Sequence, residues 1–293
     1  MAHAENAAAP LSPPTLPTLV ALDWVITVAG VAVVAIVGVR RLGIGRPDPL
    51  AAAPVRVHTL REDAVLVAVL AYLFAVLVLS GLTGIVADKN GAVRVGLVVN
   101  IGAQLTGIAA CLWIASRRFA GGMRTFFVGS HDGNRVSGWM TASTATIVAL
   151  AFCPLVHELT VWTIVCLDPT FVLTPHATIR ALQEGGLSFA VVVALWIGAA
   201  VIAPVAEELF FRGILQNALV NLTQSRGAAI ALAAVTFGVV HASQPDTMVA
   251  LVFLGVLLGY AYERTGSLTV PIAIHAAFNL KTLVWDALGR TLA

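Results

Sequence analysis

The sequence predicts an all-α, polytopic membrane protein with about eight transmembrane helices. Of its 293 residues, 59% are hydrophobic and only 11% are charged, which is under half of the charged fraction usual in soluble domains. Several apolar runs reach the ~20 residues that a bilayer-spanning helix needs. The net charge of +2 gives no indication of a nucleic-acid partner. Membrane lipid is therefore the expected surrounding.

The predicted spans follow the apolar runs in order, and short polar or basic loops separate them. The fourth run contains Pro154 and exceeds one span, which predicts a kinked or partly re-entrant helix. The fifth run would measure roughly 50 Å as one straight helix, so a break at Pro204 is expected. Gly255 and Gly259 form a GxxxG pattern, which predicts a close helix contact. The eight predicted spans are residues 18–39, 64–87, 93–116, 136–167, 187–220, 227–242, 247–262 and 268–288.

Three regions are expected along the chain. Residues 1–17 are rich in Ala and Pro and contain no Lys or Arg, which predicts a short disordered tail rather than a secretory signal peptide. Residues 18–186 hold the N-terminal transmembrane helices and carry no motif that indicates a chemistry. Residues 187–293 form the predicted catalytic helix bundle, because the polar residues that interrupt its apolar runs are the ones that suggest a site.

Two adjacent glutamates and an arginine interrupt the fifth apolar run. An ionised side chain inside a bilayer costs roughly 2.5–3.5 kcal/mol on insertion scales, so such residues persist when they pair or line a wet cavity. Glu208 and Arg212 are four residues apart and can pair on one helix face. Glu207 lies about 100° around the helix and is left without a partner. This second carboxylate is the first candidate for a functional role.

Polar side chains in two later runs can meet it. His241 lies near the end of the sixth run, four residues after Phe237, and His275 and Asn279 share one face of the eighth. A carboxylate beside a histidine can hold a water and take its proton. A second histidine with a carboxamide can face the oxygen that becomes negative when water attacks a carbonyl. This set is suited to amide hydrolysis by direct attack of water.

Three sequence segments resemble the motifs of a known family. EELFFR is similar to an EExxxR motif, FGVVH to FxxxH and HAAFN to HxxxN, which are the motifs of the CPBP (CAAX protease and bacteriocin-processing, or Abi) intramembrane proteases, including type II CAAX prenyl endopeptidases. The resemblance implies that Glu207 is the general base and that His241 helps to hold the water. It also implies that His275 and Asn279 bind the oxyanion, with Glu208, Arg212 and Phe237 in support. It covers about residues 187–288.

The leading expectation is an intramembrane endopeptidase of the glutamic type in a bacterial-type cytoplasmic membrane. Its substrate would be a protein or peptide, which the resemblance allows to be prenylated, and no cofactor is expected. Two alternatives stay open. One is a zinc-dependent protease that binds the metal through Glu207, His241 and His275, although no HExxH motif is present. The other is a non-catalytic membrane immunity or adaptor protein that keeps the same residues for stability.

Overall fold

The computed structural model describes residues 17–41, 50, 58–83, 89–128, 135–173 and 175–291. It is 87% helical, with no strand in those ranges. The predicted tail lies outside the described residues except for Pro17. The helices are α1 (Pro17–Arg41), α2 (Glu62–Thr83), α3 (Lys89–Arg118), α4 (Gly122–Val128), α5 (Arg135–Leu167), α6 (Ala177–Glu184), α7 (Phe189–Thr223), α8 (Arg226–Val239), α9 (Pro245–Thr265) and α10 (Thr269–Thr291).

Six of the described helices are long and apolar enough to cross a membrane, namely α1, α2, α3, α5, α7 and α9. The predicted fold class is therefore confirmed, with six spans where the apolar runs suggested about eight. The sixth predicted span becomes α8, whose 14 residues are too few for a bilayer. The eighth becomes α10, which is long enough but carries Lys281, Asp286 and Arg290 in its second half.

The expected break at Pro204 is absent, because α7 continues through 35 residues. Two π-helical segments, Gly198–Ile202 and Leu209–Gln216, lie on either side of the proline. A π turn widens the helix by one residue and changes which carbonyls are bonded. The helix therefore accommodates Pro204 by changing its hydrogen-bond register. In α5 the helix also continues through Pro154, and the kink expected there stays a prediction.

Three apolar clusters include parts of α7, and two of them contain residues next to its glutamates. One cluster joins α2, α3, α4 and α9 to α7 and includes Phe126, Ile214 and Tyr262. The other joins α5, α8, α9 and α10 to α7 and includes Phe211 and Phe237. Apolar side chains from the surrounding helices thus pack on both sides of the part of α7 that carries the glutamates.

The predicted GxxxG contact is present and has a second role. A Cβ on Gly255 would lie 2.9 Å from the Cα of Ala234, so α8 and α9 approach closely at this point. Arg212 Nη2 donates to the carbonyl of Gly255 at 3.2 Å, and Gln216 Nε2 donates to the carbonyl of Gly259 at 3.2 Å. Two polar side chains one turn apart on α7 thus bond two carbonyls one turn apart on α9. The two glycines therefore lie where α7, α8 and α9 pack together, next to Arg212 and Gln216 of α7.

Gly255→Ala is expected to destabilise the protein by about 1–3 kcal/mol, because the added methyl group meets the backbone of Ala234 and forces the helices apart. The measurement is the thermal unfolding midpoint of the purified protein in detergent. Gly81→Ala is the matched control, since a Cβ there meets nothing within 4 Å. Equal midpoints for the two variants would contradict the close packing at Gly255.

Candidate active site

A buried ion pair anchors the site to α7. Glu208 and Arg212 have no exposed side-chain surface, and Arg212 Nη1 donates to Glu208 Oε1 at 2.8 Å. The pair that the i, i+4 spacing predicts is thus formed. Arg212 also donates to Gly255, so its guanidinium is bound on two sides. Because a lone buried charge is costly, each member of the pair depends on the other.

His275 lies between the two adjacent glutamates. Its Nδ1 is 2.8 Å from Glu208 Oε1, and its Nε2 is 3.8 Å from Glu207 Oε2. An ionised carboxylate only accepts hydrogen bonds, so the hydrogen-bond network assigns a proton to Nδ1. Nε2 therefore faces Glu207, whose side chain keeps 27% of its surface exposed while His275 keeps 3%. Glu207 is the carboxylate that solvent or a substrate can reach.

His241 lies in the turn that follows α8, and its own helix fixes its orientation. Its Nδ1 is 2.8 Å from the carbonyl oxygen of Phe237, which can only accept, so Nδ1 carries the proton in the neutral ring. Nε2 is then left with a lone pair. The buried ring of Phe237 packs at 5.2 Å from the His241 ring and at 5.7 Å from the His275 ring. Phe237 thus contacts both imidazoles and supports their positions.

Asn279 is held by a carbonyl that α7 leaves unbonded. Its Nδ2 donates to the carbonyl oxygen of Ala199 at 2.9 Å. In the first π segment the N–H of Ala203 donates to the carbonyl of Gly198, one residue further back than the carbonyl of Ala199 that it would bond in an α-helix. The next position is Pro204, which has no N–H to offer. The Ala199 carbonyl is therefore open to the side chain of Asn279, and the second amide proton remains for another acceptor.

One cavity of about 970 Å³ contains all four predicted catalytic residues in its lining: Glu207, His241, His275 and Asn279. The structure thus brings together side chains from α7, α10 and the turn after α8. Phe237 also lines this cavity, whereas Glu208 and Arg212 lie behind it. Most of the remaining wall is apolar, including Leu97, Ile101, Leu150, Leu195, Leu251, Phe278 and Leu283.

Several polar lining residues were not predicted from the motifs. Tyr72 on α2 and His176 before α6 both line the cavity. Tyr72 places a polar hydroxyl in the middle of an apolar run. A polar residue inside an apolar run is the same signal that indicated the glutamates, so it could have indicated Tyr72 as well. His157 also lines the cavity, and its Nδ1 lies 3.1 Å from the carbonyl oxygen of Asp246. Its neighbour Glu158 is exposed and is not part of the cavity wall.

The zinc alternative requires three ligands close together. Across the described part of the chain, no three His, Cys, Asp or Glu side chains are grouped so that they could hold a metal ion. Glu207, His241 and His275 share the cavity without forming such a group. This side-chain arrangement does not fit the metal centre that the alternative requires.

Acid is expected to loosen α6, whose N-cap residue His176 lines the cavity. His176 Nδ1 accepts the N–H of Thr178 at 3.2 Å and so caps the helix. Desolvation, and then the nearby charge of His241, lower the pKa of His176 below its ordinary value. The neutral ring makes the cap, so the cap is present at neutral pH and is lost as pH falls through this lowered pKa.

Hydrogen exchange of the amides of residues 177–184, compared between pH 7 and roughly pH 5 after correction for intrinsic rates, checks this expectation. His176→Asn is the matched control, because asparagine caps helices without titrating. A pH response of the same size in the Asn variant would contradict the role of His176.

The fold and the site define an integral membrane protein with a buried acid–imidazole centre inside a helix bundle. Residues 189–281 match the family model of Rce1-like type II CAAX prenyl endopeptidases. This confirms the family resemblance drawn from the three motifs, and the match lies within the predicted core of residues 187–293. No curated protein and no solved structure gives a significant match. The family match supports a CAAX-protease-like membrane endopeptidase, and hence a hydrolase that acts on a protein or peptide.

Proposed function

We propose that the protein is a glutamic-type intramembrane endopeptidase in which Glu207 activates a water molecule. One observation carries the proposal: His275 lies between Glu208 at 2.8 Å and Glu207 at 3.8 Å, in a cavity that His241 and Asn279 also line. Glu208 is committed to Arg212 and His275. Glu207 is therefore the carboxylate available to act as a base.

The attacking water is held between Glu207 and His241 in this proposal. Because the protonated Nδ1 of His241 donates a hydrogen bond to the carbonyl of Phe237, Nε2 can accept a hydrogen bond from the water. Glu207 takes the other proton, and the oxygen forms a bond to the carbonyl carbon of the scissile peptide. The carbonyl π electrons move to its oxygen, which becomes the oxyanion.

Asn279 and His275 stabilise that oxyanion. The bond to Ala199 fixes the carboxamide of Asn279, so its free N–H is oriented before substrate binds. His275 contributes as the imidazolium, which donates from both nitrogens: Nδ1 to Glu208 and Nε2 to the oxyanion. When the tetrahedral intermediate collapses, the C–N bond breaks and Glu207 returns its proton to the leaving amine.

Cleavage assays of the purified protein in liposomes test the proposal. The probes are a quenched fluorescent peptide that ends in a farnesylated Cys-aliphatic-aliphatic-X sequence, its unprenylated counterpart, and a library of proteome-derived peptides. In H₂¹⁸O, single-turnover cleavage is expected to place one ¹⁸O atom in the new carboxylate. It is also expected to continue in the presence of chelators.

Loss of activity to chelators and its return with zinc would favour the metal mechanism. A folded protein that cleaves none of the probes would contradict the protease and favour an adaptor.

Pro204→Ala is expected to lower kcat about tenfold with little change in KM. The new N–H at position 204 can bond the carbonyl of Ala199 and so compete with Asn279. Asn279→Ala is expected to cost more, about 10²–10³-fold, because it removes an oxyanion donor. Pro271→Ala, in the first turn of α10, is the control, since an N–H there has no carbonyl one turn earlier within the helix. Unchanged kcat in Pro204→Ala would contradict this account of how Asn279 is held.

A further inference from the structure

Helix α3 forms a cavity wall to which none of the three motifs assigns a role. The α3 residues that line the cavity recur every three or four positions along one helix face: Val93, Gly96, Leu97, Asn100, Ile101 and Gln104. This face packs against α7, where a Cβ added to Gly198 would lie 3.7 Å from Ile101 Cδ1. The residue after Gly198 is Ala199, whose carbonyl holds Asn279. The wall therefore adjoins the proposed oxyanion side of the site.

Two carboxamides one helical turn apart interrupt this apolar wall. Gln104 Nε2 donates to Asn100 Oδ1 at 2.7 Å. Gln104 Oε1 is buried and accepts no hydrogen bond within the described part of the chain. Whichever amide donates to the other, the pair keeps one free carbonyl oxygen and free N–H groups. A buried acceptor without a partner is unfavourable, so the pair gains from a ligand that completes it.

We propose that Asn100 and Gln104 form a subsite that binds the main chain of the peptide substrate. A peptide unit offers one N–H donor and one C=O acceptor, and the pair offers the complementary acceptor and donor. Binding through the main chain is independent of the substrate's side chains, which contact the apolar residues on either side of the pair. The proposal rests on the proposed protease function, because it requires a peptide in this cavity.

The first experiment uses variants that keep the shape of each side chain and remove its hydrogen-bonding groups. Gln104→Met and Asn100→Leu are each expected to raise KM for the quenched peptide about five- to tenfold, the effect of one lost hydrogen bond, while kcat changes less than twofold. Thr106→Val is the matched control: Thr106 lies on the same helix outside the cavity, and within the described ranges its hydroxyl donates to the carbonyl of Gly102. KM values equal to that of the control would overturn the proposal.

The second experiment separates substrate binding from a structural role. The probe is the same peptide with one backbone N–H at a time replaced by an ester oxygen, and its binding to the Glu207→Gln protein is measured by fluorescence anisotropy. At one position the ester is expected to weaken binding about fivefold with Gln104 intact and to have no effect in Gln104→Met. An ester effect of equal size in both proteins would overturn the subsite. Cleavage by Glu207→Gln would refute the proposed mechanism instead, and the KM values of the first experiment would then still test the subsite.

Discussion

Replacing Glu207 with glutamine is expected to reduce peptide cleavage by about 10²- to 10⁴-fold, the usual contribution of a general base. The amide has nearly the shape of the acid but cannot take a proton from water. Glu207 is partly exposed and faces the cavity, so the change leaves the buried pair of Glu208 and Arg212 in place. The loss is therefore expected in kcat, with the unfolding midpoint unchanged.

Glu158→Gln provides the matched control, because it makes the same change in a membrane-spanning helix outside the cavity. His241→Ala is a second test and is expected to reduce kcat as well, since it removes the acceptor Nε2 from the proposed water site. Initial rates of peptide cleavage in liposomes measure all three variants. Cleavage by Glu207→Gln at the rate of Glu158→Gln would end the proposed mechanism.

Arg212→Met is expected to destabilise the protein by about 3–5 kcal/mol, the cost of breaking a buried ion pair by removing one partner. The carboxylate of Glu208 would lose the Arg212 donor at 2.8 Å, in surroundings that exclude water, and would keep the His275 donor. The carbonyl of Gly255 would also lose its hydrogen bond from Arg212. Thermal unfolding of the purified protein in detergent, followed by the loss of helical circular dichroism, measures the effect.

Two further variants separate charge from packing in this prediction. Glu208→Gln combined with Arg212→Met removes both charges and is expected to cost less than Arg212→Met alone. Arg61→Met breaks the exposed pair with Glu62, at 3.5 Å, and is expected to change stability by less than about 1 kcal/mol. A midpoint for Arg212→Met equal to that of Arg61→Met would contradict a desolvated pair at the centre of the bundle.

Local signals in the sequence predicted much of this molecule. The apolar runs predicted the helices of the membrane bundle, because the length and the apolar composition of each run can be read without knowing how the helices pack. The i, i+4 spacing predicted the pairing of Glu208 with Arg212, since helix geometry alone places them on one face. The GxxxG pattern predicted the close approach at Gly255. Three ordered motifs predicted the family whose model matches residues 189–281.

The remaining features required the fold. The sequence suggested a helix break at Pro204, but the protein keeps one helix and moves its hydrogen bonds into a π register. That choice frees the carbonyl of Ala199 for Asn279, which lies 80 residues further along the chain. The placement of Asn100 and Gln104 in the cavity wall likewise has no local signal.

By itself, the sequence determined that the chain is a membrane helix bundle and which side chains are too polar for lipid. Only the tertiary structure decided that His275 lies between both glutamates and that α3 closes the cavity beside Ala199. The physical reason is the range of the interactions. Helix formation and membrane insertion depend on neighbouring residues, whereas hydrogen bonds between distant side chains depend on how the helices pack.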